Sequence, residues 1–590
     1  MPQVPRTTDA ARRAGVRATL LALAVVLLLG LVSGSVRTTS TPAEGAAPPP
    51  ARAGGRVPAP ATATEAVATA VEPPVDRPSF VVVVMDDFSL DLLPALRSAQ
   101  RMRRTGADYT RAYVVDSLCC PSRAALLTGQ PPHLNGVRTN TSGGPGDDLG
   151  GWPAFEAGNG PQKSVGVALQ RSGYRTGFVG KYLNEYEPSD GGATAPPYVP
   201  GWDDFESFSG GAYDGWGFVR TEIVAPGVLG TVRYRTPSLS EPVEVRDDLY
   251  AGHVIADRAL RLLRRYRAGD DPFFLYVNPY APHSRLTPAW SEDDPRFPAA
   301  FRDRPGVRSP GGRCGPRPCR QWGPDDLDGY GDPVADNRPT YLRGGHTSTA
   351  PSWRGAARGT PRKVARTFLR DRARMVQSVD RMVTRILDAA PRDTYVVLTS
   401  DNGFHLGQHS LGPGKGTPYD SDTHVPLLVV GPGVEQGPRD QVVSSIDLAP
   451  ALEQLAGRRP RSIRGGVGFA ASLLDADAPG REAAYVEHTH GPSLPGEPDA
   501  PIGSGMRLDA IPSYVGVRTA RGLLVRLDLD QSDEGTRYAW ELYTYRGSSY
   551  ERRNSFARLR KRAWVRDLRR RVVAWADCSP HECRRLASLD

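Results

Sequence analysis

Apolar and polar positions along this chain fall into blocks with the lengths of buried strands and amphipathic helices. Residues 80–85, Phe-Val-Val-Val-Val-Met, form an unbroken apolar run that ends on Asp86-Asp87. A run without alternation predicts a parallel strand covered on both faces. Further strands are predicted at 176–180, 273–277, 394–399 and 425–430. Helical spacing at 366–389 runs through Phe368, Met375, Val379, Met382, Val383, Ile386 and Leu387, a core-facing stripe. Shorter helices are predicted at 165–169 and through Leu455. At 119–129, Pro121 suits a first helical position, Ala124 to Leu127 favour helix, and Gly129 suits its close. Past Gly457 the pattern changes to short strands at 484–487, 514–518, 522–527 and 540–543, with a basic helix near 557–574. The expectation is an α/β domain over 79–460, then a smaller antiparallel α+β domain over 461–590.

Two stretches stand outside this pattern. Arg12, Arg13 and Arg17 precede the apolar run 18–32, and Ser33-Gly34 follow. Residues 1–34 therefore read as a signal peptide or an uncleaved signal-anchor, and the protein as exported, either secreted or held at the outer face of the cell membrane. Residues 35–78, rich in Pro, Ala and Thr, cannot bury enough apolar surface to fold and read as an extended linker. Residues 291–360 are rich in Gly, Pro and Asp and read as a long surface insertion.

Composition adds little until charge and cysteines are considered. The net charge of +9 suits acidic material: nucleic acid, anionic lipid or sulfated glycan. No nucleic-acid motif accompanies it, so nucleic acid is not an expected partner, and membrane contact is expected only through the N-terminal segment. The pairs Cys314/Cys319 and Cys578/Cys583 suit short disulfides in an oxidising compartment, with zinc as the rival reading for each.

The candidate chemistry sits at the predicted strand ends, where open α/β sheets place their sites. Asp86-Asp87 there need a cation or arginine to neutralise them; a solvated turn is the alternative. Asp401-Asn402 close the strand 394–399 and add oxygen ligands suited to a hard divalent cation. Lys181 follows the strand 176–180. His283, fixed by Pro279 and Pro282 ahead of it beyond the strand 273–277, is placed to act as an acid. In Ser117-Leu118-Cys119-Cys120-Pro121-Ser122-Arg123, a thiol meets a helix N-terminus and an arginine fork, a setting for an oxyanion. His405, His409 and His424 read equally as glycan-contacting or as ordinary loop residues.

Cys119-x-Pro121-Ser122-Arg123 followed by Leu126-x-Thr128-Gly129 resembles the signature of type I, formylglycine-dependent sulfatases. The doubled cysteine is similar to the N-acetylglucosamine-6-sulfatase and extracellular heparan sulfatase branch. Asp86-Asp87, Gly180-Lys181, Pro282-His283, and Asp401-Asn402 with Lys415 follow the family's order. The resemblance implies an alkaline-phosphatase-like fold, a large mixed sheet flanked by helices. It implies that Cys119, rather than Cys120, is oxidised to formylglycine by a formylglycine-generating enzyme. Asp86, Asp87, Asp401, Asn402 and the modified Cys119 would then hold calcium, with magnesium or manganese open. Arg123, Lys181, His283 and Lys415 would be catalytic and the substrate a sulfated sugar; from this chain's own residues, Asn184 and His405 are the candidate substrate contacts. Many members place a histidine two residues after the first lysine, where this chain has Leu183. Two rivals stay open: a phosphoester or phosphonate hydrolase of the same superfamily, and a non-catalytic exported glycan-binding protein.

Overall fold

The computed structural model describes residues 76–143, 149–238, 240–283, 312–331, 338–353, 359–491, 510–530, 538–545 and 550–589. The leader reading at 1–34 and nearly all of the linker reading lie outside them. Among the described residues no helix is long and apolar enough to cross a membrane.

In chain order the strands are β1 (Ser79–Met85), β2 (Ala107–Tyr113), β3 (Arg175–Lys181), β4 (Asp204–Gly210), β5 (Phe218–Ala225), β6 (Val228–Arg233) and β7 (Phe273–Asn278). Then come β8 (Arg313–Cys314), β9 (Arg317–Pro318), β10 (Thr340–Arg343), β11 (His346–Thr349), β12 (Thr394–Ser400), β13 (Leu427–Val430) and β14 (Gly437–Ser444). The last four are β15 (Ala483–His488), β16 (Tyr514–Thr519), β17 (Gly522–Asp528) and β18 (Tyr538–Thr544). Ten of them form one mixed sheet in the order β14-β2-β13-β12-β1-β7-β3-β4-β5-β6.

Its centre, β12-β1-β7-β3-β4, is parallel throughout. All five of these strands therefore deliver their C-terminal ends to one edge. The apolar run of β1 explains its central place. Val81, Val83 and Met85 face one layer, with the helices Ala251–Tyr266 and Arg362–Ala389; Phe80, Val82 and Val84 face the other.

A second, antiparallel sheet runs β11-β10-β18-β17-β16-β15. Both sheets belong to the compact unit Ala68–Asp590. The hairpin β10–β11 lies inside the stretch expected to be a surface insertion, yet β10 pairs with β18. Its strands are four residues long and turn at Gly344-Gly345, both at positive φ, so glycine content masked them in the sequence. The cysteine pairs are disulfides, Cys314–Cys319 and Cys578–Cys583, which sets aside zinc held by paired thiolates. The basic helix near 557–574 is two helices, Phe556–Leu559 and Ala563–Trp575.

Candidate active site

β1 and β12 are neighbours in register, Met85 opposite Ser400, so Asp86-Asp87 and Asp401-Asn402 leave the sheet side by side. Asp87 takes a left-handed conformation, φ 60°, which a short polar residue tolerates and most do not. Its N–H donates to Asp401 Oδ1 at 3.0 Å, and Phe88 N donates to Ser400 Oγ at 3.0 Å. The turn thus places the carboxylates of two strands together. All four residues are fully buried.

The helix Cys119–Thr128 brings the thiol to this edge. It begins two residues before Pro121, and Asp116 Oδ1 accepts from Leu118 N at 2.8 Å just ahead of it. Gly129, at φ 62°, closes it as the sequence expects. Cys119 Sγ lies 3.5 Å from Asp86 Oδ1 and 3.8 Å from Asp87 Oδ1. One turn later, Arg123 Nη2 meets Asp401 Oδ2 at 2.8 Å and Asp86 Oδ1 at 3.4 Å, while Nη1 donates to Asn278 Oδ1 at 3.0 Å. Ser122 Oγ donates to the Asp401 carbonyl.

Lysines arrive from two further directions. β3 ends in Lys181, whose Nζ donates to both Asp86 oxygens at 2.9 and 2.8 Å. Lys415 Nζ donates to Asp87 Oδ1 at 2.6 Å and reaches Cys119 Sγ at 2.8 Å. Beyond β7, His283 Nε2 stands 3.7 Å from Asp87 Oδ2. Three carboxylates therefore face three permanent cations around one thiol, all almost fully buried.

The electrostatics follow from that balance. Burial alone would raise the Asp86 carboxyl, but Lys181, His283, Arg123 and Lys415 together hold it far below the usual carboxylate range. Burial opposes the Lys181 ammonium too, yet Asp86 and Cys119 push it well above its ordinary value. Asp401 goes the other way, to about 6: burial and the neighbouring carboxylates outweigh Arg123. A buried carboxyl left partly protonated beside two others is a place where one more positive charge is favourable.

The donor set fits a hard divalent cation. Asp87 Oδ2 and Asn402 Oδ1 are buried acceptors without a hydrogen-bond partner, and Asp401 Oδ2 has only its ion pair with Arg123. Asn402 Nδ2 donates to Asp87 Oδ1 at 2.7 Å, which fixes the amide so that its oxygen is the free end. Oxygen donors alone, converging from two strand ends, suit calcium, magnesium or manganese.

The remaining expected residues divide. Asn184 accepts from Tyr213 OH at 3.4 Å, and Tyr213 lies under Lys181 Nζ (4.9 Å) and beside the His283 ring (4.6 Å), so Asn184 joins the cluster through that ring. His405 is fully buried, and its Nδ1 pairs with Asp422 at 2.9 Å. Asp422 also accepts from Thr417, and His405 pairs backbone to backbone with Gly414, so the two brace the Lys415 loop from both sides. His409 stacks on Tyr419 at 3.9 Å, and His424 bridges Asp420 and the Thr110 carbonyl. Cys120 accepts from Asn184 N at 3.0 Å, and burial pushes its thiol up to about 12.

Sequence reasoning missed Tyr213, Arg372, Asp116 and His488. Arg372, within the helix Arg362–Ala389, donates to the Asp87 carbonyl and, at 3.2 Å, to the Pro282 carbonyl. It therefore ties a candidate ligand to the loop that carries His283. An arginine amid Leu369, Ala373 and Val376 is the signal that was available. Asp116 Oδ2 and both His488 ring nitrogens are buried without partners, and Glu487 N donates to Val115 O at 2.8 Å, which sets β15 beside the segment ahead of Cys119. Periodicity carries no trace of that contact between sheets.

Known proteins resemble this chain in sequence and in fold. The sulfatase family profile matches residues 78–458. Human N-acetylglucosamine-6-sulfatase is 29% identical over 391 residues, 65% of this chain and 61% of that protein. The Drosophila melanogaster extracellular sulfatase SULF-1 homolog is 27% identical over 402 residues, 65% of this chain and 30% of that protein. The chain thus spans less than two thirds of either relative. A solved structure described as in complex with its substrate D-glucosamine-2-N,6-O-disulfate superposes with a TM-score of 0.56 at 19% identity, covering 85% of this chain and 97% of the other. The fold is the alkaline-phosphatase-like α/β fold, and the chain belongs to the sulfatase family.

Proposed function

We propose that this protein is an exported hydrolase that removes sulfate from a sulfated amino sugar of the N-acetylglucosamine-6-sulfate or glycosaminoglycan type. The observation that carries the reading is the buried thiol of Cys119 ringed by Asp86, Asp87 and Asp401 and by Arg123, Lys181 and Lys415, with Lys415 Nζ 2.8 Å from the sulfur. The names of the relatives, and the glucosamine disulfate in the solved structure, point to the sugar.

Asp86, Asp87, Asp401 and Asn402 would hold the divalent cation, calcium by family precedent. Bound there, it would polarise sulfate oxygens and lower the pKa of a hydroxyl on residue 119. Oxidised to formylglycine by a formylglycine-generating enzyme, residue 119 would supply two geminal hydroxyls, one to attack sulfur and one whose collapse to the aldehyde expels sulfate. The charge balance suits this reading. Three carboxylates and three cations cancel, so the two charges of the metal are left for a sulfate monoester and a deprotonated nucleophile.

The chain's own groups do the rest. Arg123, fixed by Asp401 and Asn278, presents a rigid fork to developing negative charge. Lys181 and Lys415, each held by its own aspartate, supply two ammonium groups to the sulfuryl group. His283 protonates the departing sugar oxygen. Burial of the whole set keeps water from competing with the nucleophile.

The test is turnover, by protein co-produced with a formylglycine-generating enzyme, of a glucosamine-6-sulfate oligosaccharide beside its matched phosphate ester. Preference for the sulfate ester supports the reading. Faster release of phosphate, or no turnover of either ester, refutes it.

A further inference from the structure

The formal charge of the chain is +9, and residues 552–571 hold ten basic side chains against one carboxylate, Asp567. That short stretch carries an excess equal to that of all 590 residues, so acid and base balance elsewhere. The helix Ala563–Trp575 buries Val565, Leu568, Val572 and Trp575 in the core of the second sheet. Arg562, Arg566 and Arg570 are left exposed at i, i+4 and i+8, a stripe ~12 Å long at 1.5 Å per residue, which exposed Arg558 and Lys561 extend. Like charges at i, i+4 cost a helix a few tenths of a kcal/mol per pair, so this pattern works against the fold it sits on. Asp567 serves Arg570 and Arg571 and leaves the rest of the stripe without compensation from its own helix.

We propose that this face binds a sulfated polysaccharide, the polymeric form of the substrate, and holds the chain while the buried site acts on single sulfate groups. The inference rests on the sulfatase reading above. Arginine forks match sulfate oxygens in the way they match phosphate, and a row of them suits a regularly charged polymer. Single-stranded nucleic acid would call for exposed aromatic platforms, yet Trp540 lies beneath Arg569 at 5.0 Å, Phe556 is fully buried, and Trp564 is half-buried with Arg521 over its ring at 6.0 Å. A lipid surface would call for an apolar face to insert, and the outer side of this helix offers one exposed large apolar residue, Val573.

The test compares full-length protein with a variant carrying Arg558→Glu, Lys561→Glu, Arg562→Glu and Arg566→Glu, binding to a heparin-type polysaccharide, a charge-matched DNA duplex and anionic vesicles in 50 mM salt. The matched Gln variant, which removes charge without reversing it, guards against misfolding, and urea denaturation checks both. The expected result is at least ~100-fold weaker polysaccharide binding for the Glu variant and a smaller loss for the Gln variant. Nitrophenyl sulfate turnover should be unchanged, and KM for the polymer should rise with kcat constant. Unaltered polysaccharide affinity in folded variants overturns the proposal. So does wild-type binding to DNA or vesicles as tight as to the sulfated polymer. Failure of the formylglycine-bearing wild type to turn over nitrophenyl sulfate would sink the sulfatase reading alone, since the binding comparison still judges this surface.

Discussion

Gly180 is the backbone position on which two of the site's cations depend. It sits at φ 116°, next to Lys181, where β3 runs beside β7. A Cβ at this position would stand 2.0 Å from the Asn278 carbonyl oxygen and 2.6 Å from its carbon, both backbone atoms that cannot rotate away. Asn278 is the residue whose side chain fixes Arg123. Gly180→Ala therefore meets two costs, ~1–3 kcal/mol for an alanine at that φ and ~1–3 kcal/mol for overpacking. The sum is a stability loss of ~2–6 kcal/mol, relieved only by parting the two strand ends. A shift of about 1 Å there displaces Lys181 and Arg123 together, and misplacement on that scale costs ~100-fold in turnover. Gly227→Ala is the control: its φ is 73°, but nothing lies within 4 Å of the added Cβ, so it reports conformational strain without the clash. Urea denaturation and nitrophenyl sulfate kinetics on both variants measure the difference. If Gly180→Ala costs no more stability than Gly227→Ala and keeps wild-type turnover, the reasoning about this strand junction is wrong.

Other outcomes follow from the same geometry. His283→Ala should slow desulfation of a glucosamine-6-sulfate substrate ~10²–10⁴-fold more than hydrolysis of nitrophenyl sulfate, whose leaving group needs no proton; equal losses would move His283 to sulfate binding. Arg372→Met leaves the buried Asp87 and Pro282 carbonyls without their donor, worth ~1–3 kcal/mol each, against some relief of a guanidinium that burial depresses to about 10. Turnover should fall with stability, and a fully active Arg372→Met would show that those carbonyls position nothing. Because Asp401 is raised to about 6, it is protonated below that pH and must lose the proton to bind a cation. Calcium affinity by calorimetry should thus fall up to ~10-fold per pH unit below about 6, and a flat profile between pH 5 and 7 would contradict this.

The central strands were legible because burial on both faces leaves an unmistakable apolar run: 80–85 became Ser79–Met85 and 394–399 became Thr394–Ser400. Site residues directly after those runs were legible for the same reason, since chain direction alone puts them at one sheet edge. Contacts across the fold were not. Arg372 looked like one more position on a core-facing helix, and Tyr213 sits in a glycine-rich turn with no periodicity at all. β10–β11 were hidden because a four-residue strand pairing with residues almost two hundred positions later leaves no local signal. His405 was read as equally a sugar contact or a loop residue, while the structure pairs it with Asp422, a partner that spacing cannot reveal.

The account stands most directly on residue 119. The tryptic peptide of residues 112–123 holds both Cys119 and Cys120, and its mass, aldehyde reactivity and fragment ions can be read on the same preparation whose sulfate ester turnover is measured. The predicted result is an aldehyde at position 119, a thiol at Cys120, and activity that rises in proportion to the aldehyde fraction. Full activity in protein whose Cys119 is an unmodified thiol would contradict the account.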